Sequence, residues 1–147
     1  MQSLPKETNG KTSSSSIAFH VLIVEDNSDL AKLFSDLFGV MGCTTDIALN
    51  AKSGFEKAQQ HPPDLVFSDL RLPGDKNGFD LAQDFRADKA LAATPLVAVT
   101  GSCEAEDFER AEKAGFDRIF TKPFKFAEIH KLLRDLQEKK AQAQSIS

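Results

Sequence analysis

Four places in the chain carry side chains whose types suit one chemistry. Glu25-Asp26 is a pair of acids, Asp69 a third acid, Thr100 a hydroxyl and Lys122 an amine. Each stands at the end of a short apolar run: Phe19 to Val24, Leu65 to Phe67, Leu96 to Val99 and Arg118 to Phe120. A single polar residue after such a run is ordinary, because strands end in solvated loops. Two acids, an acid, a hydroxyl and a lysine delivered by four successive runs form a specific constellation. Three converging carboxylates repel one another and resist full ionisation. A hard divalent cation with oxygen ligands relieves that, and Mg²⁺ suits a site that also receives phosphoryl oxygens. Asp69 is then a candidate nucleophile that takes up a phosphoryl group as an aspartyl phosphate. Lys122 offers a point positive charge, and Thr100 a hydrogen bond to a phosphoryl oxygen.

The elements that must position these residues are legible in the hydrophobic pattern. A fifth run, Thr44-Thr45-Asp46-Ile47-Ala48, is mixed and suits a sheet edge. Helical spacing fills the gaps. Leu30, Leu33, Phe34, Leu37, Phe38 and Met41 form an amphipathic stripe, with Asn27 or Ser28 to cap its start and Gly42 its end. Phe126, Ile129, Leu132, Leu133 and Leu136 form another. Weaker helices are predicted over Ala51 to Gln60, Phe79 to Asp88 and Glu104 to Ala114, with Gly115 capping the last. The last of these carries a thin stripe of Ala105, Phe108 and Ala111. Five strands alternating with five helices imply an α/β fold, a doubly wound five-stranded parallel sheet with helices on both faces. Sites in such folds lie at the carboxyl ends of the strands, where all four places fall.

At these residues the chain resembles the receiver domains of two-component response regulators. The likeness spans about residues 18–138 and rests on Glu25-Asp26, the D-x-R-x-P-G run from Asp69 to Gly74, the Val99-Thr100-Gly101 strand end and Lys122-Pro123-Phe124. The resemblance implies the flavodoxin-like (βα)5 receiver fold. It implies phosphorylation of Asp69 and Mg²⁺ held by Glu25, Asp26, Asp69 and the backbone carbonyl of Arg71. It implies a Lys122-Pro123 bond that is cis and directs the lysine. It also implies a switch surface of about residues 104–136, with Thr100 and the position of Ile119 coupling it to the site. The family usually carries an aromatic ring at that last position. This chain has Ile119 there, and Phe120 points to the other face of its strand by simple alternation. Coupling is therefore expected to proceed without a ring swing. The loop after Asp69 is one residue longer than the common form.

The expected partners are a histidine kinase or histidine phosphotransfer protein and an unknown downstream protein target. Neither nucleic acid nor membrane is expected. The 22 acidic and 18 basic side chains leave a net charge of −4, against a free-standing nucleic-acid binder. No run approaches the ~18–20 apolar residues of a membrane span. The polar segment 1–17 reads as a flexible tail without a secretory pattern, as does 139–147. These features, with Cys43 and Cys103 far apart and no CxxC, suit the cytoplasm. About ten polar residues follow the fifth helix, too few for an output domain.

The chain is expected to be no enzyme beyond assisting its own phosphorylation and dephosphorylation. A phosphotransfer intermediate or phosphate sink is a variant of that reading. A phosphohydrolase of the haloacid dehalogenase type needs a second acid two residues after the nucleophile, where Arg71 stands. A flavodoxin-like flavin binder needs a phosphate-cradling loop where Glu25-Asp26 stands. Gly10-Lys11-Thr12 lacks the first glycine and preceding strand of a P-loop. His20, His61 and His130 do not cluster in sequence, and a metal-binding or phosphorylated role is not expected for them.

Overall fold

The computed structural model describes residues 18–101 and 104–146 of the 147-residue chain, with side chains to residue 142. The proposed N-terminal tail, Gly10-Lys11-Thr12 and Cys103 lie outside the described residues.

Ten elements alternate strictly: β1 (His20–Val24), α1 (Ser28–Val40), β2 (Thr44–Ala48), α2 (Ala51–Gln60), β3 (Leu65–Asp69), α3 (Gly78–Ala87), β4 (Leu96–Thr100), α4 (Ala105–Ala114), β5 (Arg118–Thr121) and α5 (Phe126–Ile146). The strands form one parallel sheet in the order β2-β1-β3-β4-β5. The mixed strand β2 lies at an edge, where its half-exposed residues belong. Central strands β3 and β4 are buried on both faces, which is why their sequences read as continuous apolar runs.

Strand alternation divides the interior into two layers. Leu22, Val24, Val66, Leu96 and Ala98 face α2, α3 and α4, meeting Ala51, Ala58, Phe85 and Ala111. Val21, Ile23, Phe67, Val97 and Val99 face α1 and α5, meeting Phe34, Phe38, Ile129 and Leu133. Phenylalanine does most of the filling: the Phe67 ring meets Phe34, Phe38 and Phe124 edge-on at centroid distances of 5.2, 5.1 and 6.0 Å.

Caps define the helix boundaries. Asn27, Asn50 and Asn77 each accept a backbone N–H with the side-chain oxygen at the starts of α1, α2 and α3. Gly42 and Gly115 follow α1 and α4 at φ of 96° and 122°, the left-handed region that glycine tolerates.

The structure sharpens three readings of the helices. Leu33 lies on the outer flank of the α1 stripe and is 52% exposed, while Ala31 takes the inward position. On α4, Ala111 and Ala114 are buried while Ala105 and Phe108 face outward. The final helix does not end near residue 138 but continues to Ile146. Lys, Ala and Gln there are strong helix formers, so polarity does not imply coil. Lys140 also pairs with Asp64 at 3.4 Å and lies over the Phe19 ring.

Candidate functional site

The order β2-β1-β3-β4-β5 reverses direction at β1, whose neighbours are β2 on one side and β3 on the other. That reversal opens a crevice above the carboxyl ends of β1 and β3. Glu25 and Asp26 follow β1, and Asp69 ends β3. Each of the three offers a carboxylate oxygen, and these oxygens lie within 4.8 Å of one another. Thr100 ends β4 beside them, and Lys122 reaches in from the end of β5.

The Lys122 ammonium donates to Glu25 Oε1 at 3.2 Å and lies 3.6 Å from Asp69 Oδ2. Its backbone N–H donates to the Thr100 carbonyl at 2.8 Å, which ties the ends of β4 and β5 together. The Lys122–Pro123 peptide is cis. Glu25 is buried, and its Oε2 accepts the Asn27 N–H at 3.1 Å. Burial pushes its pKa above the ordinary carboxylate value. The Asn27 N–H and the Lys122 ammonium pull it down less, and the Asp69 charge adds to the rise. Asp26 is exposed, with no side-chain hydrogen bond or ion pair among the described residues. Thr100 is buried.

One ammonium therefore faces three carboxylates. The donors are all oxygen, the charge is in deficit, and one acid is held in a buried position that disfavours its ionised form. This donor set fits a hard divalent cation such as Mg²⁺.

Two features of the site escaped the sequence reading. Gly78, first residue of α3, packs directly on the strand end that carries Asp69. An added Cβ would collide with the Asp69 carbonyl oxygen and lie 2.8 Å from Leu70 Cα. Only glycine lets α3 start so close to the site. The second feature is the pair of contacts made by the N–H and guanidinium of Arg71, a residue of which only the carbonyl was expected to matter. Its N–H donates to Asp69 Oδ1 at 3.1 Å, and its guanidinium donates to Asp107 Oδ2 at 3.0 Å. The same Asp107 carboxylate accepts the Glu104 N–H at the start of α4. A short path thus runs from Asp69 to the first turn of α4.

Ile119 pairs with Ala98 across the sheet and packs on the α2–α4 layer. Phe120 turns to the other face, its ring 5.9 Å from Phe124. Of the three histidines, which do not cluster in sequence, His130 stands on α5 beside Phe126, while the rings of His20 and His61 stack.

An open parallel sheet that brings three acids, a hydroxyl and a lysine to the carboxyl ends of its strands defines a class: doubly wound α/β proteins with a polar, mainly acidic site on the carboxyl rim of the sheet. The family model described as the response regulator receiver domain matches residues 21–134, and the chain belongs to that family. Its members are signalling modules of two-component systems. The polar-differentiation response regulator DivK of Brucella anthropi is 34% identical over 103 residues, covering 70% of this chain and 83% of DivK. The receiver domain of a sensor histidine kinase from Pseudomonas aeruginosa superposes with a TM-score of 0.75 at 24% identity, covering 82% of this chain and 98% of that one. It was solved with a magnesium ion coordinated in its active-site cleft. A CheY-like receiver domain from Methanospirillum hungatei gives a TM-score of 0.78 at 21% identity, over 86% of this chain and 98% of that one. At such identities the two structures support the fold alone. No helix of the described residues is long and apolar enough to cross a membrane.

Proposed function

We propose that this chain is a phosphoacceptor module of a phosphorelay that takes a phosphoryl group on Asp69 and answers with a changed protein-binding face. The observation that carries the reading is the meeting of Glu25, Asp26 and Asp69 carboxylates within 4.8 Å, with Lys122 contacting two of them. A histidine kinase or histidine phosphotransfer protein would supply the group. An Asp69 carboxylate oxygen forms a bond to phosphorus as the phosphorus–nitrogen bond of the donor's phosphohistidine breaks, and the imidazole nitrogen leaves. Glu25, Asp26, Asp69 and the Arg71 carbonyl would hold Mg²⁺, which supplies charge neutralisation at the phosphoryl oxygens. Lys122 would exchange its carboxylate partners for a phosphoryl oxygen, and Thr100 would donate its hydroxyl to another. The chain's catalysis is confined to its own phosphorylation and hydrolysis.

The proposed output face includes α4 and β5. A shallow groove there is lined by Phe108, Glu112, Phe116 and Ile119, and the Phe108 ring is 42% exposed. The Arg71–Asp107 pair gives this face a direct tether to the residue beside Asp69. The target would be a protein in the cytoplasm.

The test is incubation with a small acyl phosphate and Mg²⁺, read by intact mass. Wild type gains the mass of one phosphoryl group and Asp69→Ala gains none. An unmodified wild type, or an Asp69→Ala variant modified to the same extent, overturns the proposal.

A further inference from the structure

At the opposite end of the sheet, away from Asp69, three side chains converge from three elements. His20 opens β1, Asp46 lies within β2, and His61 follows the last turn of α2. The register pairs His20 with Thr44 and Leu22 with Asp46, so His20 and Asp46 are diagonal neighbours on one face of the sheet. The His61 N–H closes α2 on the Lys57 carbonyl at 2.8 Å, and Pro62-Pro63 follow at once, so the ring is delivered onto the same face. His20 Nε2 lies 3.1 Å from Asp46 Oδ2, and His61 Nδ1 lies 4.0 Å from that same oxygen. One ligand atom from each residue falls within 4.8 Å of the others.

We propose that His20, Asp46 and His61 bind a divalent transition-metal ion of the Zn²⁺ class, at a site separate from the acidic rim. Two imidazoles and one carboxylate form a mixed nitrogen and oxygen donor set, which selects borderline ions over Mg²⁺. Ligand atoms around a tetrahedral Zn²⁺ with bonds of about 2.0–2.2 Å stand about 3.3 Å apart. The observed 3.1 and 4.0 Å bracket that spacing.

Thr44 supplies the supporting contact such sites require. Its Oγ1 lies 2.8 Å from His20 Nδ1. When Nδ1 carries the ring proton and donates to Thr44, the Nε2 lone pair faces the Asp46 carboxylate. Without an ion, Nε2–H can instead donate to Asp46 Oδ2 at 3.1 Å, and a metal ion bound at Nε2 takes the place of that proton. His20 is thereby oriented in advance, as metal-binding histidines are by the partner of their second nitrogen. His61 must move. Its ring stacks on His20 with centroids 4.0 Å apart and planes 18° from parallel, and an ion in the plane of both rings requires His61 to turn edge-on. The side chain is 65% exposed and makes no hydrogen bond among the described residues, so the turn meets little resistance. Water would complete the coordination on the open side. The bound ion would pin edge strand β2 and the α2–β3 loop to β1.

The test is calorimetric titration of the full chain with Zn²⁺ in excess Mg²⁺, repeated with Co²⁺ and read by visible absorption. Wild type binds one ion, and the Co²⁺ form shows the intense bands of low coordination with no thiolate charge-transfer band. His61→Ala and the near-isosteric Asp46→Asn both lose that binding, with circular dichroism confirming the fold. Thr44→Val weakens it about tenfold or more. Asp69→Asn keeps it. Absence of binding in wild type overturns the proposal. So do undiminished binding by His61→Ala, a thiolate band that places the ion on a cysteine, and loss of the site in Asp69→Asn.

Discussion

Replacing Gly78 by alanine tests how the fold holds Asp69 in place. The new Cβ would lie 2.8 Å from Leu70 Cα and in collision with the Asp69 carbonyl oxygen. Carbon atoms rest about 3.5–4.0 Å apart, so α3 and the end of β3 must separate by about 1 Å. That movement stretches the bond from the Gly78 N–H to the Leu70 carbonyl, now 3.0 Å, beyond useful range. Losing it costs about 1 kcal/mol. Forcing a methyl group into closed packing costs about 1–3 kcal/mol. Alanine returns at most about 1 kcal/mol of helix propensity. The net expectation is a loss of about 1–3 kcal/mol. Gly39, in α1, is the control: a Cβ there meets nothing within 4 Å, so Gly39→Ala keeps the propensity gain and stabilises by up to about 1 kcal/mol. Urea unfolding compares the three proteins, and Mg²⁺ titration of each reports on the carboxylates. Gly78→Ala should be both less stable and weaker for Mg²⁺, because the atoms it displaces are the backbone of Asp69 and Leu70. A Gly78→Ala protein as stable as wild type, with unchanged Mg²⁺ affinity, refutes the reasoning.

Glu25 makes stability depend on pH. Its folded pKa lies above the ordinary 4.5 through burial, so between the two values the folded chain holds more protons than the unfolded one. Its contribution is complete below the unfolded value and lost as pH rises through the folded one, so stability without Mg²⁺ falls across that window. Glu25→Gln should flatten this fall when unfolding midpoints are compared from about pH 4 to pH 8 in chelator. Arg86 donates to the carbonyls of Ala92, Thr94 and Gly115 and to Asp117, stitching α3 to the loops before β4 and β5. Arg86→Ala should cost about 2–3 kcal/mol in urea unfolding. Arg86→Lys should recover little, since a point ammonium cannot span that fork. Phe120 should stay against Phe124 on phosphorylation, its aromatic NMR signals moving less than the methyl signals of Ile119. A Phe120 ring found beside Thr100 contradicts coupling through Ile119.

The rim was legible because strand ends combine two local signals, an apolar run and the polar residue that stops it. Asp69, Thr100 and Lys122 therefore found their places before any contact was known. What escaped depends on distance in sequence. Arg71 and Asp107 are 36 residues apart, and nothing in either neighbourhood names the other. His20, Asp46 and His61 meet only because β1 and β2 pair in one register and α2 returns over them. Gly78 drew no notice in the stretch after Asp69, whereas its role is to be small beside a backbone. Phe108 fitted a helical stripe, but α4 is so short of apolar residues that Ala111 and Ala114 complete its inner face.

The measurement closest to the central claim is localisation of the phosphoryl group by peptide mapping after transfer in Mg²⁺. The account predicts that all of it resides on the peptide bearing Asp69, and that chelation of Mg²⁺ abolishes the modification. A phosphoryl group on another side chain, or full Asp69 modification in chelator, would contradict it.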